Sequence, residues 1–328
     1  MPGFRSHFIF GQNALTSCKT AGELRCIKEH KTCYQLGQQG PDLFFYFAPA
    51  HLFHRGNIGT IMHNTATLGF IDSLVFTRNR LLTKTDRDIA DAYIAGFMGH
   101  YSFDTACHPY IHYRAKKMTY KDDFTKSFGI HVALETDIDA ALLRHYMHLN
   151  VSQFALEPTI ALSPKERIVI SHLIAGAIGR TYPDHKMFPL TVNLAICNFW
   201  LLNKLMRDPK GRKKRLVRFV DERICHHIFV SGIVANDGFK AYKDPCNLRH
   251  MKWHNPWEPS ITSHQDVYQL MEQGLAAYEL HLENYKNLIA TLPKKLLPTH
   301  EYGEEYYRRL NYLLQELGDL SYDSGLPL

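Results

Sequence analysis

Two pairs of side chains in this sequence stand at a spacing that favours metal coordination. His100 and Asp104 are four residues apart, and His131 and Glu135 repeat that interval. On a helix each pair shares one face and can reach the same ion. His108 adds a turn to the first row, directly before Pro109, and Asp139 lies one turn beyond Glu135. An imidazole nitrogen beside a carboxylate oxygen suits zinc, at bond lengths of about 2.0–2.2 Å. A lone pair of this kind is commonly a hydrogen-bonded surface pair. Two pairs on consecutive helices, with a third histidine between them, point instead to a metal centre. His100 ends the run Gly96-Phe-Met-Gly99-His100, whose apolar and small residues predict burial. A buried His–Asp pair loses solvation, and a cation would offset that loss.

Other metal patterns fail on inspection. His300-Glu301 is followed by Glu304 where a zincin-type motif needs its second histidine, and no His-Asp doublet occurs. Paired CxxC and paired ExxH motifs are also lacking, which excludes zinc-ribbon and di-iron carboxylate readings.

The elements that must position these residues read as helices. Thr85 followed by Asp88, with Ile89, Tyr93, Ile94 and Phe97 behind them, predicts a capped amphipathic helix. Pro109 biases its predecessor away from helical angles, so this helix is expected to end near His108. A second helix is predicted over residues 128–148, where Ile130, Leu134, Ile138 and Leu142 recur every four positions. Ser163-Pro-Lys-Glu166 combines an N-cap, a first-turn proline and a capping-box glutamate. In the helix it opens, Ala175, Gly176 and Gly179 would permit close backbone approach. Further helices are predicted over 191–206 and 216–230, from a cap at Ser263-His-Gln-Asp266 to about Ala290, and over 301–317. Residues 37–54 and 236–259 read as loops, and no long alternating strand pattern or repeat occurs. The expectation is an all-α multi-helix bundle forming one domain over residues 1–328. Its metal motifs lie in 5–140, and the helices of 160–328 complete the bundle.

Composition sharpens this reading. Of 20 histidines, 11 precede residue 150. The formal net charge of +6 resides in the segment 204–223, which holds nine basic and three acidic residues. The run Lys210-Gly-Arg-Lys-Lys-Arg-Leu-Val-Arg218 could dock an anionic membrane surface or nucleic acid. Flanking Asp208, Asp221 and Glu222 read it instead as a solvated helix start. The N-terminus lacks the apolar stretch of a secretory leader, and no apolar run reaches bilayer length. Seven cysteines without CxxC spacing fit free thiols. A cytoplasmic protein is expected.

Gly99-His100-Tyr-Ser-Phe-Asp104-Thr-Ala-Cys-His108-Pro109-Tyr, followed by His131-Val-Ala-Leu-Glu135, resembles the zinc-dependent phospholipase C family. Ser6-His7-Phe-Ile-Phe-Gly11, Gln38-Gln-Gly40-Pro41-Asp42-Leu-Phe-Phe-Tyr46 and Met62-His63 agree with it. The resemblance covers about residues 5–140 and is strongest to a cytoplasmic bacterial branch. It implies an all-α bundle whose cleft holds up to three zinc ions. Asp42, His63, His100 and Asp104 would hold one. Asp104 would bridge to a second ion that also takes His7, and His108, His131 and Glu135 would hold a third. Asp42 could orient or deprotonate an attacking water. The implied reaction is hydrolysis of a phosphodiester such as a phospholipid headgroup.

The sequence departs from the secreted members in two places. Their N-terminal Trp ligand is replaced by Met-Pro-Gly-Phe-Arg-Ser before His7, so two zinc ions are as compatible as three unless the Pro2 amine substitutes. Their counterpart of His108 lies further past the bridging Asp, which makes His112 the fallback ligand. A nuclease-like phosphodiesterase and a metal-binding scaffold without turnover are the alternative readings. The aromatics Phe44, Phe45, Tyr46 and Phe47 could line a cleft or form core beside the site. Trp253 and Trp257 could cover it. The pairs His226-His227 and His250/His254 read as structural or surface residues, and Asp237 reads as part of a turn. Oligomeric state has no signature in the sequence.

Overall fold

Every buried backbone amide and carbonyl needs a partner, and this chain meets the demand almost entirely with helices. The computed structural model describes residues 3–45, 47, 57–116, 124–225, 230–232, 234, 237, 243–293 and 301–328. Its first helix, α1 (Phe4–Ser17), leads into three short ones: α2 (Lys19–Glu23), α3 (Arg25–Glu29) and α4 (Lys31–Gly37). A 3-10 turn over Gly40–Phe44 precedes α5 (Ile58–Asn64) and α6 (Thr67–Arg78). The long helices α7 (Lys84–Lys116) and α8 (Phe124–Met147) carry the histidine rows. Then follow α9 (Pro164–Thr181), α10 (Pro189–Met206), α11 (Arg212–Val220), α12 (Val267–Ala290) and α13 (Glu304–Leu317). Among the described residues the only strands are Trp253–His254 and Thr262–Ser263, paired antiparallel with Trp253 opposite Ser263.

Helix α7 is the axis of the bundle. Its 33 residues span about 50 Å at 1.5 Å per residue. Tyr93, Ile94, Phe97, Met98, Phe103 and Ile111 are all buried, so it is apolar around most of its circumference and must be enclosed. Helices α4 and α12 supply much of that enclosure. Where α4 crosses α7, Gly37 and Gly96 face each other. A β-carbon on Gly37 would stand 2.2 Å from the Tyr93 carbonyl oxygen, and one on Gly96 2.1 Å from that of Tyr34. Only glycines allow this approach, and it brings the turn after α4 onto His100. Buried apolar residues form one cluster from Phe8 in α1 to Tyr322 in the C-terminal tail.

Several boundaries differ from the sequence reading. The cap of α7 is Thr83, not Thr85: its Oγ1 accepts from the Asp86 amide at 3.1 Å. The helix does not stop at His108, because Pro109 lies inside it. Proline removes one amide and frees the carbonyl four residues back. That carbonyl belongs to Thr105, and Gly325 of the tail lies against it, where a β-carbon would come to 2.5 Å. Tertiary packing thus accepts the proline that local propensity disfavours.

The cap of α12 is Asp266, in a reciprocal box with Gln269, and Ser263 lies in a strand. Ser163 and Glu166 form the expected capping box of α9. In that helix Gly176 approaches Thr77 of α6, whereas Gly179 faces open space. Helix α11 begins at Arg212 rather than Leu216 and passes into a π-helical turn at Asp221–Cys225. None of the helices α1 to α6 was predicted: α2 to α5 are too short to carry a periodic signal, and the 14-residue α1 and 12-residue α6 were missed.

Candidate metal centre

The buried end of α7 presents His100, Asp104 and His108 on one face, and four other segments converge on it. Asp42 comes from the 3-10 turn, His63 from α5, His7 from α1, and His131 with Glu135 from α8. Gly40 makes the first approach feasible. Its φ is +51°, and a β-carbon would lie 2.3 Å from the His100 ring.

Asp42, His63, His100 and Asp104 form a pocket whose four side chains are almost wholly excluded from solvent. His100 Nε2 is 3.0 Å from Asp104 Oδ2 and 3.8 Å from Asp42 Oδ1. His63 Nε2 is 3.3 Å from Asp42 Oδ1 and 3.7 Å from Asp104 Oδ2. On the other side of Asp104, His7 Nε2 stands 3.2 Å from Oδ1. None of these contacts is aligned as a hydrogen bond. Both oxygens of Asp42 and Asp104, both nitrogens of His7, and the Nε2 atoms of His63 and His100 make no hydrogen bond within the protein. Donors at about 2.1 Å around a tetrahedral ion stand about 3.4 Å apart. The separations here scatter about that value, so the residues fit a cation.

The outer nitrogens are fixed as a metal site requires. His63 Nδ1 donates to the Gly59 carbonyl at 2.7 Å, and His100 Nδ1 donates to that of Gln38 at 3.1 Å. A carbonyl can only accept, so with an ion bound and the rings neutral the Nε2 lone pairs would turn inward. Electrostatics agree. Burial opposes charge on His63, yet Asp104 and Asp42 beside it carry its pKa up to about 10. Burial also opposes charge on Asp104, but His100, His108 and His7 hold its carboxyl well below the usual range. Burial pushes Asp42 up and His100 down. The pocket demands positive charge at its centre.

His108, His131 and Glu135 make a second group that could hold an ion. His131 Nε2 is 2.6 Å from Glu135 Oε1, close enough for a hydrogen bond. His108 Nδ1 donates to the Tyr322 carbonyl at 2.8 Å, while its Nε2 is buried without a partner. His108 also joins a third group with His112 and Asp323. Asp323 Oδ1 is 3.4 Å from His112 Nε2 and 3.8 Å from His108 Nδ1. Burial holds His112 down at about 4, and it opposes ionisation of Asp323; His112, His108 and His63 nevertheless keep that carboxyl below its ordinary value. At neutral pH both are in their ligating forms. His112 and Asp323 are 28% and 24% exposed, so the centre opens to solvent on this side.

The structure therefore brings together all eight residues singled out in the sequence. Sequence reasoning missed Asp323, which the C-terminal tail delivers from 211 positions away. Several other readings resolve. Asp139 belongs to none of these groups. It accepts from the amides of Arg5 and Ser6 at 3.2 and 2.8 Å and from Ser6 Oγ at 2.6 Å, capping α1 beside His7. Phe44 and Phe47 are core, and Phe45 packs against His63 with ring centroids 4.9 Å apart.

Trp253 is buried against Tyr110, whereas half-exposed Trp257 stacks edge-on to His112 at 4.9 Å on the open side. His250 and His254 belong to neither pocket. Asp237 holds the Ser152 amide at 3.0 Å. Pro2, Tyr46 and His226-His227 lie outside the described residues.

A separate group, His30, Cys33 and Glu166, has its bonding accounted for. Glu166 accepts from the Ser163 amide and pairs with His30 Nδ1 at 2.9 Å, locking the start of α9. No described helix is long and apolar enough to cross a membrane, and the described cysteines are free thiols. Comparison with protein-family models, with curated proteins and with solved structures returns no match.

Proposed function

We propose that this protein is a zinc-dependent phosphodiester hydrolase resembling phospholipase C. The observation that carries the reading is the convergence, from four segments, of unbonded imidazole and carboxylate atoms about 3.0–3.8 Å apart. Mixed His and Asp/Glu donors without cysteine favour a catalytic zinc over a structural one, which is commonly rich in Cys. Asp42, His63, His100 and Asp104 would hold one ion, with Asp104 shared towards His7. His108, His131 and Glu135 would hold another. Zinc bound there would supply a hydroxide near neutral pH and charge to bind phosphate oxygens.

The chain's own groups perform the remaining work. The backbone carbonyls of Gly59 and Gln38 orient the rings of His63 and His100. Asp42 is the carboxylate assigned to take a proton from attacking water. Substrate would enter beside His112, Asp323 and Trp257, where the centre meets solvent.

Complete burial of the first pocket favours a second reading, a metal-holding scaffold without turnover. Metal analysis of protein purified without chelator tests both. Two to three zinc equivalents are expected, with loss on His100→Ala or Asp104→Ala. Folded protein that takes up no zinc would overturn both readings. Turnover of an aryl phosphodiester, phosphatidylcholine or single-stranded DNA then separates lipase from nuclease. Zinc-loaded protein inert towards all three would leave the scaffold.

A further inference from the structure

The basic segment forms a helix folded inside out. In α11 the buried side chain is Lys214, only 3% exposed, while Leu216, Phe219, Val220 and, in the following turn, Ile224 face solvent. Ile224 is 73% exposed. Water alone gives no reason to arrange a helix this way. Helix α10 also exposes an apolar face, although its buried face is apolar as well. Val192, Ala195, Ile196 and Phe199 are buried, and Leu190, Leu194, Leu201 and Leu205 are exposed. At 100° per residue those four leucines fall within one narrow stripe, about 22 Å long.

The two helices are joined at a fixed corner. Lys213 Nζ donates to the carbonyls of Leu205 and Arg207 at 2.7 and 2.9 Å, closing the end of α10. Asp208 accepts from the Lys214 amide at 2.8 Å, capping the start of α11. Around the leucines stand the exposed cations Lys204, Arg207, Lys210, Arg212 and Arg215. Lys204 Nζ lies 5.1 Å from the Trp200 ring centroid, so charge and apolar surface interleave. The rest of the chain carries no net charge, which makes this segment the whole source of the +6.

We propose that α10 and α11 form a docking surface for an anionic lipid bilayer. The exposed leucines, Phe219 and Ile224 enter the headgroup–acyl boundary, and the surrounding lysines and arginines meet lipid phosphates. A nucleic acid would match the charge but leaves the leucine stripes without a partner. Docking of this kind is peripheral, consistent with the lack of a spanning helix among the described residues. The proposal stands on this surface alone and does not depend on the metal centre.

Vesicle sedimentation with the full chain tests it, using phosphatidylcholine with and without phosphatidylglycerol. The protein is expected to sediment only with the anionic vesicles. Leu194→Ser with Leu201→Ser, or Leu216→Ser with Phe219→Ser, is expected to abolish binding without lowering the melting temperature. Lys210→Gln and Arg212→Gln should each weaken it about fivefold.

No sedimentation with anionic vesicles overturns the proposal, as does binding that survives both serine pairs. A concentration-dependent dimer that the serine pairs dissolve, with no vesicle binding, assigns the face to a second copy and also overturns it. Zinc content measured on the same samples is the control. Lost vesicle binding with metal retained belongs to this surface, and lost metal with vesicle binding retained belongs to the centre.

Discussion

Helix α7 carries two buried aspartates, Asp91 and Asp104, about 20 Å apart along its axis. Asp91 is closed. Arg78 clamps it through Nε and Nη2, each at 2.6 Å, and the Tyr285 hydroxyl donates to it at 2.6 Å. Arg78 Nη1 reaches Asn79, which in turn donates to the Tyr306 hydroxyl. Asp104 is open. Four imidazoles surround it at 3.0–3.7 Å, and neither oxygen is hydrogen-bonded. The same residue type on the same helix is neutralised by a protein cation in one place and could hold an external one in the other. Distance separates the two aspartates: the partners of Asp91 close to 2.6 Å, whereas the imidazoles around Asp104 stand 3.0–3.7 Å away.

The comparison breaks most sharply under paired substitution. Asp91→Ala strands a buried guanidinium, and loss of about 3–5 kcal/mol of folding stability is expected. Zinc binding by whatever remains folded should be unchanged. Asp104→Ala should do the reverse, abolishing metal at the first pocket while changing the stability of metal-free protein far less. Denaturant titration and metal analysis on both variants check this. Equal destabilisation by the two, with metal retained, would erase the distinction.

Chelation is the next test, and its expected effect is somewhat smaller. A ligand present at about 100 times its dissociation constant stabilises the folded state by about 2.7 kcal/mol. Removing zinc should therefore lower the melting temperature of the wild-type protein, and lower that of the Asp104→Ala variant by less, since only the group of His108, His131 and Glu135 could still hold an ion there.

This contrast also explains what could be read from sequence. The rows His100-Asp104-His108 and His131-Glu135 were legible because one helix face writes itself as a four-residue interval. Asp42, His63 and His7 have no such interval, since each arrives on a different element. Only the family resemblance pointed to them. Asp323 was invisible: it depends on a tail that passes Tyr101, Thr105 and His108 more than two hundred residues after them. The all-α class followed from periodicity, but Pro109 misled the end of α7 because its cost is local and its compensation is tertiary. In α11 the run of cations suggested a solvated face. Burial of Lys214 follows from packing on Asp208 and Asp137 that no local pattern encodes.

Acid and base should act on the open region in opposite senses, depending on metal. In the metal-free protein His63 has its pKa raised from the ordinary 6.5 to about 10 by Asp104 and Asp42. Its contribution to stability is thus fully present below pH 6.5 and is lost as pH rises through about 10. With zinc bound, protons compete with the ion for the same nitrogens and carboxylates, so stability is lost as pH falls. Between pH 6.5 and about 10, melting temperature should therefore fall with rising pH in chelator and not fall that way with zinc bound. Parallel curves would show that no cation occupies the cluster in the loaded protein.

The smallest effect expected is at the solvent edge. Asp323 lies 3.4 Å from His112 and 3.8 Å from His108, and the adjacent Tyr322 carbonyl accepts from His108. It also brings negative charge to a side of the centre where Glu135 is the other carboxylate. Asp323→Asn keeps the shape and removes that charge. Partners outside the direct ligands are commonly worth 10- to 100-fold in metal affinity, and tenfold is about 1.4 kcal/mol. Competition with a chromophoric chelator should show the weaker of the bound ions released at least tenfold more readily in the variant. An ion held by Asp42, His63, His100 and Asp104 should be unaffected. If instead both ions weaken together, the two pockets act as one coordination unit. Asp104, bridging towards His7 and lying 3.7 Å from His108, is then the residue through which they couple.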